Sequence, residues 1–461
     1  MSLLSSHNPK PHVVLFPFMS KGHIIPLLHL ARLLLDHRAT VTLFTTPANR
    51  PYIQSLSDDD ITIMDLPFPG NIPGIPPGIE STDKLPSISL FVSFARATKL
   101  MQPNFENVLQ TLPHVTCIIS DQFLCWTLES ATKFGIPLLG FNGMSAYSSV
   151  ICRYVAVNRL LSLHESPDEP ITLPIFPWIK VTRNYFAYPF NERNPSGPLF
   201  DFIMEMDIFL SNSYGLLVNS FYELEPRFVD YLNRESKPKA FCVGPLCLTR
   251  LPKMEPVLHN KCRWIQWLDQ KLAQGNPVLY VAFGSQAEIS STQLTEIAGG
   301  LEESKVSFLW VVKKSGLELG EEFEDRIKER GMIVKEWVDQ KRILEHEIVQ
   351  GFLSHCGWNS VLESICSEVP ILACPMMAEQ YINAKMVVEE IKIGLRVESR
   401  NGIVEAESLK NKVKELMEGE NGNEVRKKVK EVAEAARNSI KDGGSSFRTL
   451  SQLIEEIHLH N

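Results

Sequence analysis

The sequence predicts an α/β protein made of two similar halves, each with a parallel sheet covered by helices. In the first half, segments with helical apolar spacing alternate with short apolar runs at 13–18, 41–44, 61–64 and 117–120. The second half repeats this alternation, with apolar runs at 278–283, 307–312, 332–334, 351–353 and 371–373. Strands that alternate with helices favour a parallel sheet between layers of helices. We therefore predict two Rossmann-like β/α/β domains.

The chain length and an irregular central stretch predict the domain boundaries. A chain of 461 residues is well beyond the size at which a single core stops growing. The stretch that begins at Val243-Gly244-Pro245 has no clear period and carries several prolines, which is typical of a linker. We predict an N-terminal domain, a linker, a C-terminal domain and a final helix at 1–243, 244–262, 263–445 and 446–461.

Charge and hydropathy argue against several kinds of partner. The formal net charge is −8, and lysines and arginines are spread along the chain, which disfavours nucleic acid or an anionic membrane surface as the main partner. The sequence shows no leader with a positive n-region and no run of about 20 apolar residues, so we expect no membrane insertion. The nine cysteines include no CxxC pair, which favours reduced thiols. We expect a cytoplasmic protein with a small-molecule partner.

A turn between a strand and a helix in the second half predicts an anion-binding site. A short apolar strand leads into the turn 354–360, after which helical spacing begins. The first N–H groups of a helix lack intrahelical partners and lie at the positive end of its dipole. Gly357, Asn359 and Ser360 would let a pyrophosphate approach closely, and His355 would add a donor. An ordinary βαβ unit contains a similar turn, so this pattern alone leaves both interpretations open.

Residues on either side of this turn suit a nucleotide and a sugar. Upstream, Trp337 offers a flat face for a base. Downstream, Glu379 and Gln380 follow the apolar run 371–373. Ligands of open α/β sheets bind at the carboxyl ends of the strands, so these side chains are candidates for sugar binding.

A histidine and an aspartate in the first half are candidates for acid–base chemistry. His23 follows Gly22 at a predicted helix start, and Asp121 follows the strand 117–120, so both come from carboxyl ends of strands in one sheet. A histidine backed by a carboxylate suits proton abstraction near neutral pH. The helix dipole should disfavour the imidazolium and keep the ring available as a base. From the pattern alone, an exposed or capping His23 and an N-capping Asp121 stay open as alternatives.

These segments resemble, nearly position for position, the plant family-one UDP-glycosyltransferases, the small-molecule glucosyltransferases of secondary metabolism. The resemblance covers essentially the whole chain, with further matches at Gly22-His23, Ser120-Asp121-Gln122-Phe123, 219–225, Val243-Gly244-Pro245, Trp267-Leu268-Asp269, Phe283-Gly284-Ser285 and 443–446. It implies the GT-B architecture, in which two Rossmann-like domains face each other across a cleft and the C-terminal helix returns to the first domain.

The resemblance also implies a role for each site residue. His23 would be the base, and Asp121 would orient it. The uracil would stack on Trp337 and pair with the backbone of Val338. The remaining assignments are Gln340 and Glu363 for the ribose, Ser285, His355, Gly357, Asn359 and Ser360 for the diphosphate, and Trp358, Glu379 and Gln380 for the sugar. Trp358 and Gln380 are the residues that the family associates with glucose.

Two positions depart from the family pattern. Asp339 stands where the family mostly has proline, so we expect a looser backbone beside Trp337. Glu368 stands where a glycine usually precedes Val-Pro, and we expect this side chain to face solvent.

The implied reaction is inverting, metal-independent transfer of glucose from UDP-glucose to a hydroxyl of a small lipophilic acceptor, a flavonoid, phenolic or terpenoid, which gives a β-glucoside. We expect no cofactor and a monomer. Another UDP-sugar, a nitrogen or sulfur acceptor, and a non-catalytic sugar-nucleotide binder stay open as alternatives. A nicotinamide-dependent oxidoreductase is disfavoured because neither candidate turn carries Gly-x-Gly-x-x-Gly with an acid about 20 residues later.

The acceptor pocket is expected in the N-terminal half. Its long loops are 67–78 and the aromatic-rich stretch Phe176 to Phe202. Tyr185, Phe186, Tyr188 and Phe190 are candidates to line a lipophilic pocket, although packing against their own domain is an equal alternative.

One acidic run resembles a metal motif of other glycosyltransferases. Asp58-Asp59-Asp60 has Asp-x-Asp spacing but lies in a polar stretch between two apolar runs. A solvated loop is therefore the better interpretation.

Overall fold

The computed structural model describes residues 10–57, 59–163, 165–235, 237–251, 262–284, 286–312, 320–400 and 402–459. The chain through residue 251 forms β1 (His12–Phe16), α1 (Lys21–Asp36), β2 (Thr40–Thr45), α2 (Arg50–Leu56), β3 (Thr62–Asp65), α3 (Phe91–Ala97), α4 (Gln102–Thr111), β4 (Cys117–Asp121), α5 (Thr127–Phe134), β5 (Leu138–Asn142), α6 (Ala146–Val157), β6 (Ile171–Leu173), β7 (Phe176–Val181), α7 (Pro198–Asn212), β8 (Gly215–Val218), α8 (Pro226–Glu235) and β9 (Lys239–Cys242).

From residue 262 the same alternation continues. The elements are α9 (Arg263–Gln274), β10 (Val278–Ala282), α10 (Ser291–Ser304), β11 (Ser307–Val311), α11 (Gly320–Ile327), β12 (Gly331–Val334), α12 (Gln340–Leu344), β13 (Val349–Ser354), α13 (Trp358–Cys366), β14 (Ile371–Ala373), α14 (Gln380–Lys385), β15 (Gly394–Arg396), α15 (Ala406–Glu418), α16 (Glu420–Ser439) and α17 (Ser445–Leu459).

Two parallel sheets organise these elements. The first has the strand order β3-β2-β1-β4-β5-β8-β9, and the second has the order β12-β11-β10-β13-β14-β15. All neighbouring strands in both sheets pair in parallel. The central strands β1, β4 and β10 are buried along their whole length, as expected for sheets with helices on both faces. The predicted α/β class with two Rossmann-like domains is confirmed.

An apolar cluster joins the two domains. It contains the buried side chains of Tyr147 and Phe221 from the first domain and those of Trp358 and Val361 from α13. The domains therefore share a packed interface. The predicted linker at 244–262 stays a prediction, because residues 252–261 lie outside the described part of the chain.

The last helix packs on the first domain. Leu450, Leu453 and Ile457 of α17 are buried in the same cluster as Leu15 of β1 and Leu28 of α1. Because a buried leucine contributes both transfer free energy and packing, these contacts stabilise the N-terminal domain through the end of the chain.

We predict that Leu453→Ala destabilises the protein. The cavity left in this cluster should lower the free energy of unfolding by about 2–5 kcal/mol, seen as a lower Tm in thermal unfolding. Glu455→Ala, at an exposed position of the same helix, is the matched control and should leave Tm almost unchanged. A Leu453→Ala protein that unfolds with the wild type would contradict the docking of α17.

Candidate active site

The candidate site lies where the strand order reverses in each sheet. In the first sheet the reversal falls between β1 and β4, and in the second it falls between β10 and β13. Loops that leave the carboxyl ends of such strands diverge and open a crevice. A single cleft of about 2650 Å³ is lined by residues from both crevices.

His23 and Asp121 meet at the first crevice. His23 is the third residue of α1, and Asp121 ends β4. The distance from His23 Nδ1 to Asp121 Oδ2 is 2.7 Å. Asp121 is fully buried, and its other carboxylate oxygen accepts a hydrogen bond from the Phe123 backbone N–H at 3.0 Å. The aspartate thus fixes one ring nitrogen of His23 and leaves Nε2 as the nitrogen available to a substrate.

The neighbours of His23 raise its pKa. Burial alone would lower the pKa of this imidazole, but the charge and hydrogen bond of Asp121 and the charge of Glu379 together raise it above its ordinary value. The helix dipole was expected to disfavour the imidazolium. Asp121 outweighs that effect because its carboxylate contacts the ring directly.

The turn between β1 and α1 also touches the second domain. Gln286 donates from its amide nitrogen to Ser20 Oγ at 3.1 Å and to Thr82 Oγ1 at 2.8 Å. Asn359 donates to the Gly22 carbonyl at 2.6 Å. No sequence pattern indicates Gln286, because the side chain that crosses a cleft depends on how the domains dock.

The start of α13 forms the second crevice with His355. A Cβ added to Gly357 would lie 2.6 Å from His355 Nε2, and one added to Gly284, whose φ is +77°, would lie 2.7 Å from the same atom. The ring therefore packs tightly between two glycines, and a side chain at either position would displace it. Burial lowers the pKa of His355 to about 4, so the ring is neutral near pH 7 and would bind an anion as an N–H donor.

The ribose candidates contact one another. Gln340 Nε2 donates to Glu363 at 2.7 Å and to Ser360 Oγ at 2.8 Å. Tyr280 donates from its hydroxyl to Gln340 Oε1 at 3.3 Å. Burial raises the pKa of Glu363 to about 7. The group is preorganised, since each side chain already has hydrogen-bond partners.

The two residues predicted to bind the uracil base, Trp337 and Val338, lie on the loop before α12. Trp337 is 55% exposed, so its ring is accessible from the cleft, whereas the side chain of Val338 is buried. Asp339 caps α12 by accepting a hydrogen bond from the Arg342 backbone N–H at 3.2 Å. The expected loosening at Asp339 is therefore opposed by a capping interaction that a proline could not make.

Glu368, the second position that departs from the family pattern, contacts a neighbouring helix. Glu368 has a left-handed backbone with φ of +61°, a conformation that favours glycine and costs other residues about 1 kcal/mol or more. Its carboxylate accepts a hydrogen bond from Arg437 of α16 at 2.7 Å. Glu368 keeps part of the expected solvent contact, and an ion pair with Arg437 also holds it against a neighbouring helix.

The three residues predicted to bind the sugar differ in their present partners. Glu379 lies within electrostatic reach of His23, and burial raises the pKa of this carboxyl. Gln380 accepts hydrogen bonds from the Met376 and Met377 backbone N–H groups, both at 3.0 Å, which fixes its side chain in the loop. The indole N–H of Trp358 donates to the Asn219 carbonyl of the other domain at 2.7 Å. This donor is used between the domains and is not available to a sugar.

Aromatic side chains line the cleft on the side of the first domain. They include Tyr185, Phe186, Tyr188 and Phe190, all four of the predicted candidates. Phe123 also lines the cleft, and its ring packs against His23 with 4.8 Å between the centroids. The loop 67–78 instead packs Ile72 and Ile75 into the core of its own domain.

Two predicted positions fall outside the described residues. These are Ser285, assigned to the diphosphate, and Asp58 of the acidic triplet. Within the described part of the chain, no cluster of three or more His, Cys, Asp or Glu side chains could hold a metal ion. No helix in that part is long and apolar enough to span a membrane.

Two facing Rossmann-like domains, with a His–Asp pair on one side of the cleft and a helix start on the other, are the architecture of a GT-B glycosyltransferase that uses a nucleotide sugar. Residues 266–430 match the family model of UDP-glucoronosyl and UDP-glucosyl transferases. UDP-glycosyltransferase 90A1 of Arabidopsis thaliana is 55% identical, over 99% of this chain and 98% of that protein.

Two further comparisons agree. UDP-glucose flavonoid 3-O-glucosyltransferase 7 of Fragaria ananassa is 34% identical, over 97% of this chain and 96% of that protein. The crystal structure of Glycyrrhiza uralensis UGT73P12 with glycyrrhetinic acid 3-O-monoglucuronide superposes with a TM-score of 0.86 at 31% identity, over 97% of this chain and 96% of that one. The chain belongs to the plant UDP-glycosyltransferases, enzymes that transfer sugar from a UDP-sugar to small molecules.

We predict that Asp121→Asn moves the pH dependence of the reaction. If His23 is the general base, it works only when neutral, so kcat/KM should fall as the pH drops below the pKa of His23. Without the aspartate charge, burial dominates and lowers that pKa. The acid limb of kcat/KM should shift to lower pH, and the plateau should drop about tenfold or more because a charge-assisted hydrogen bond is lost. An acid limb that stays in place would contradict the assignment of this limb to His23.

Proposed function

We propose that this enzyme transfers glucose from UDP-glucose to a hydroxyl of a small lipophilic acceptor, such as a flavonoid, a phenol or a terpenoid alcohol. The reaction inverts the anomeric centre and uses neither a metal ion nor a cofactor. The observation that carries the proposal is the 2.7 Å contact between His23 Nδ1 and Asp121, in a cleft that the donor residues also line.

His23 acts as the general base. Its free nitrogen, Nε2, takes the proton of the acceptor hydroxyl, and the oxygen attacks the anomeric carbon from the face opposite UDP. The resulting imidazolium is stabilised by Asp121, which already contacts Nδ1 in the resting protein. One displacement suffices, so no carboxylate is needed as a nucleophile.

The leaving diphosphate is stabilised at the start of α13. Backbone N–H groups there have no helical partners, and Asn359 and Ser360 belong to the first turn. His355 adds an N–H donor, since its low pKa keeps the ring neutral. Fixed dipoles of this kind stabilise charge as it develops in the transition state.

Glucose as the donor sugar rests on two observations. Trp358 and Gln380 occupy the positions that the family associates with glucose. The indole N–H of Trp358 donates to the Asn219 carbonyl, so Trp358 would support the sugar site only indirectly. The Fragaria ananassa relative is named for UDP-glucose and a flavonoid. The aromatic lining around Phe123 and Tyr188 would suit a flat, lipophilic acceptor.

The proposed setting is a monomer in the cytoplasm. All nine cysteines are free thiols. Thiols persist in reducing compartments, where disulfides are rare.

We predict acceptor-dependent release of UDP that survives EDTA and depends on His23. Purified protein would be incubated with UDP-glucose and a panel of phenolic and terpenoid alcohols. Loss of a general base in His23→Ala should lower kcat by about a hundredfold to ten-thousandfold. His114→Ala, which removes an exposed histidine, is the matched control and should keep wild-type activity.

Each alternative has its own outcome in this experiment. Saturable UDP-glucose binding without release for any acceptor would favour a binder. Release that EDTA abolishes would contradict the metal-independent mechanism. Faster release with another UDP-sugar would keep the mechanism and overturn the choice of glucose.

A further inference from the structure

Lys21 reaches across the cleft from the first domain to the base-binding loop of the second. It is the first residue of α1 and lies between Ser20 and Gly22, whose contacts with Gln286 and Asn359 are described above. Its ammonium nitrogen lies 5.2 Å from the centre of the Tyr52 ring and 5.6 Å from that of Trp337. The side chain therefore runs from beside the start of α13 to the uracil candidate.

The Lys21 ammonium is only partly exposed and lies beside aromatic rings. In the part of the chain that the structure describes, Lys21 forms no ion pair, and its neighbours are the two aromatic rings. A cation–π contact is weaker than a charge-assisted hydrogen bond to an anion. Because the lysine stem has four flexible carbons, the ammonium can turn toward an anion that enters the cleft.

Two other cations around Trp337 have stronger partners. Lys335 pairs with Glu324 at 2.8 Å. Lys341 donates to the Cys247 carbonyl at 2.6 Å. These interactions direct both side chains to partners other than a bound nucleotide. Arg342 has a cation–π contact of its own, with the Trp264 ring at 5.8 Å.

A UDP-sugar brings a charged diphosphate into a site with several carboxylates. Asp339, Glu363 and Glu379 line the same cleft and oppose an anion. The helix start offers the equivalent of about half an elementary charge, and His355 is neutral near pH 7. A mobile full positive charge at the edge of this site would offset the repulsion.

We propose that Lys21 is a donor-positioning residue whose ammonium leaves the Tyr52 and Trp337 rings to contact the diphosphate of the bound UDP-sugar. The contact links the first domain to the donor. It also places the donor relative to His23, two residues further along the same helix turn. This inference rests on the use of a UDP-sugar donor.

Titration calorimetry with UDP and with uridine tests the inference. Lys21→Met keeps the apolar stem and removes the charge, whereas Lys21→Arg keeps the charge. In Lys21→Met the Kd for UDP should rise about tenfold or more, as expected for loss of a charge-assisted contact, while the Kd for uridine changes less than about twofold. Lys21→Arg should keep most of the affinity for UDP. Lys99→Ala, which removes an exposed lysine paired with Glu129, controls for net charge and should bind UDP normally.

A second readout separates a diphosphate contact from ring packing. Salt screens the attraction between charges, so added salt should weaken UDP binding less in Lys21→Met than in the wild type. Equal losses of UDP and uridine affinity would mean that Lys21 only supports Trp337, and an unchanged Kd for UDP would mean that no contact forms. Either result overturns the inference. Wild-type protein that binds no UDP would instead overturn the proposed donor.

Discussion

The hydrogen bonds that hold the turn between β1 and α1 determine how the two domains can cooperate. This turn carries His23, and the second domain contacts it through Gln286 and Asn359. Asn359 is also in the first turn of α13, the proposed diphosphate site. The proposed base and the proposed donor site are therefore connected through one residue. Fixing reactants in this way turns a bimolecular step into an effectively unimolecular one.

Two histidines in one cleft are given opposite properties by their neighbours. Burial lowers the pKa of His23, but the charge and hydrogen bond of Asp121 and the charge of Glu379 together raise it above its ordinary value. Among the described residues, no carboxylate stands beside His355 as Asp121 does beside His23, and burial lowers the pKa of His355 to about 4. One ring is suited to accept a proton, and the other stays a neutral donor for an anion. Pairs of titratable groups whose pKa values are driven apart are typical of acid–base sites.

The sequence predicted the strands that carry the site but missed several others in the two sheets. The strands before His23, Asp121 and His355 were all predicted, because each is a short apolar run that ends at a polar turn. The strands β5, β8, β9 and β15 were not predicted. Each contains a glycine or a charged residue, which interrupts the apolar run that would mark a strand.

Contacts between the domains were the features that sequence reasoning missed. Trp358 was assigned to the sugar, but its indole N–H contacts Asn219 in the other domain. Lys21 and Gln286 stand in or near predicted motifs, and nothing in their spacing indicates which way their side chains point. Such contacts follow from domain docking, which no local pattern encodes.

The anomeric configuration of the product tests the central claim most directly. Proton NMR of the glycoside formed from UDP-α-glucose would be recorded early in the reaction, before any secondary exchange. A single displacement with His23 as the base predicts the β-glycoside. An α-glycoside would require retention through a second displacement and would contradict the role given to the His23–Asp121 pair.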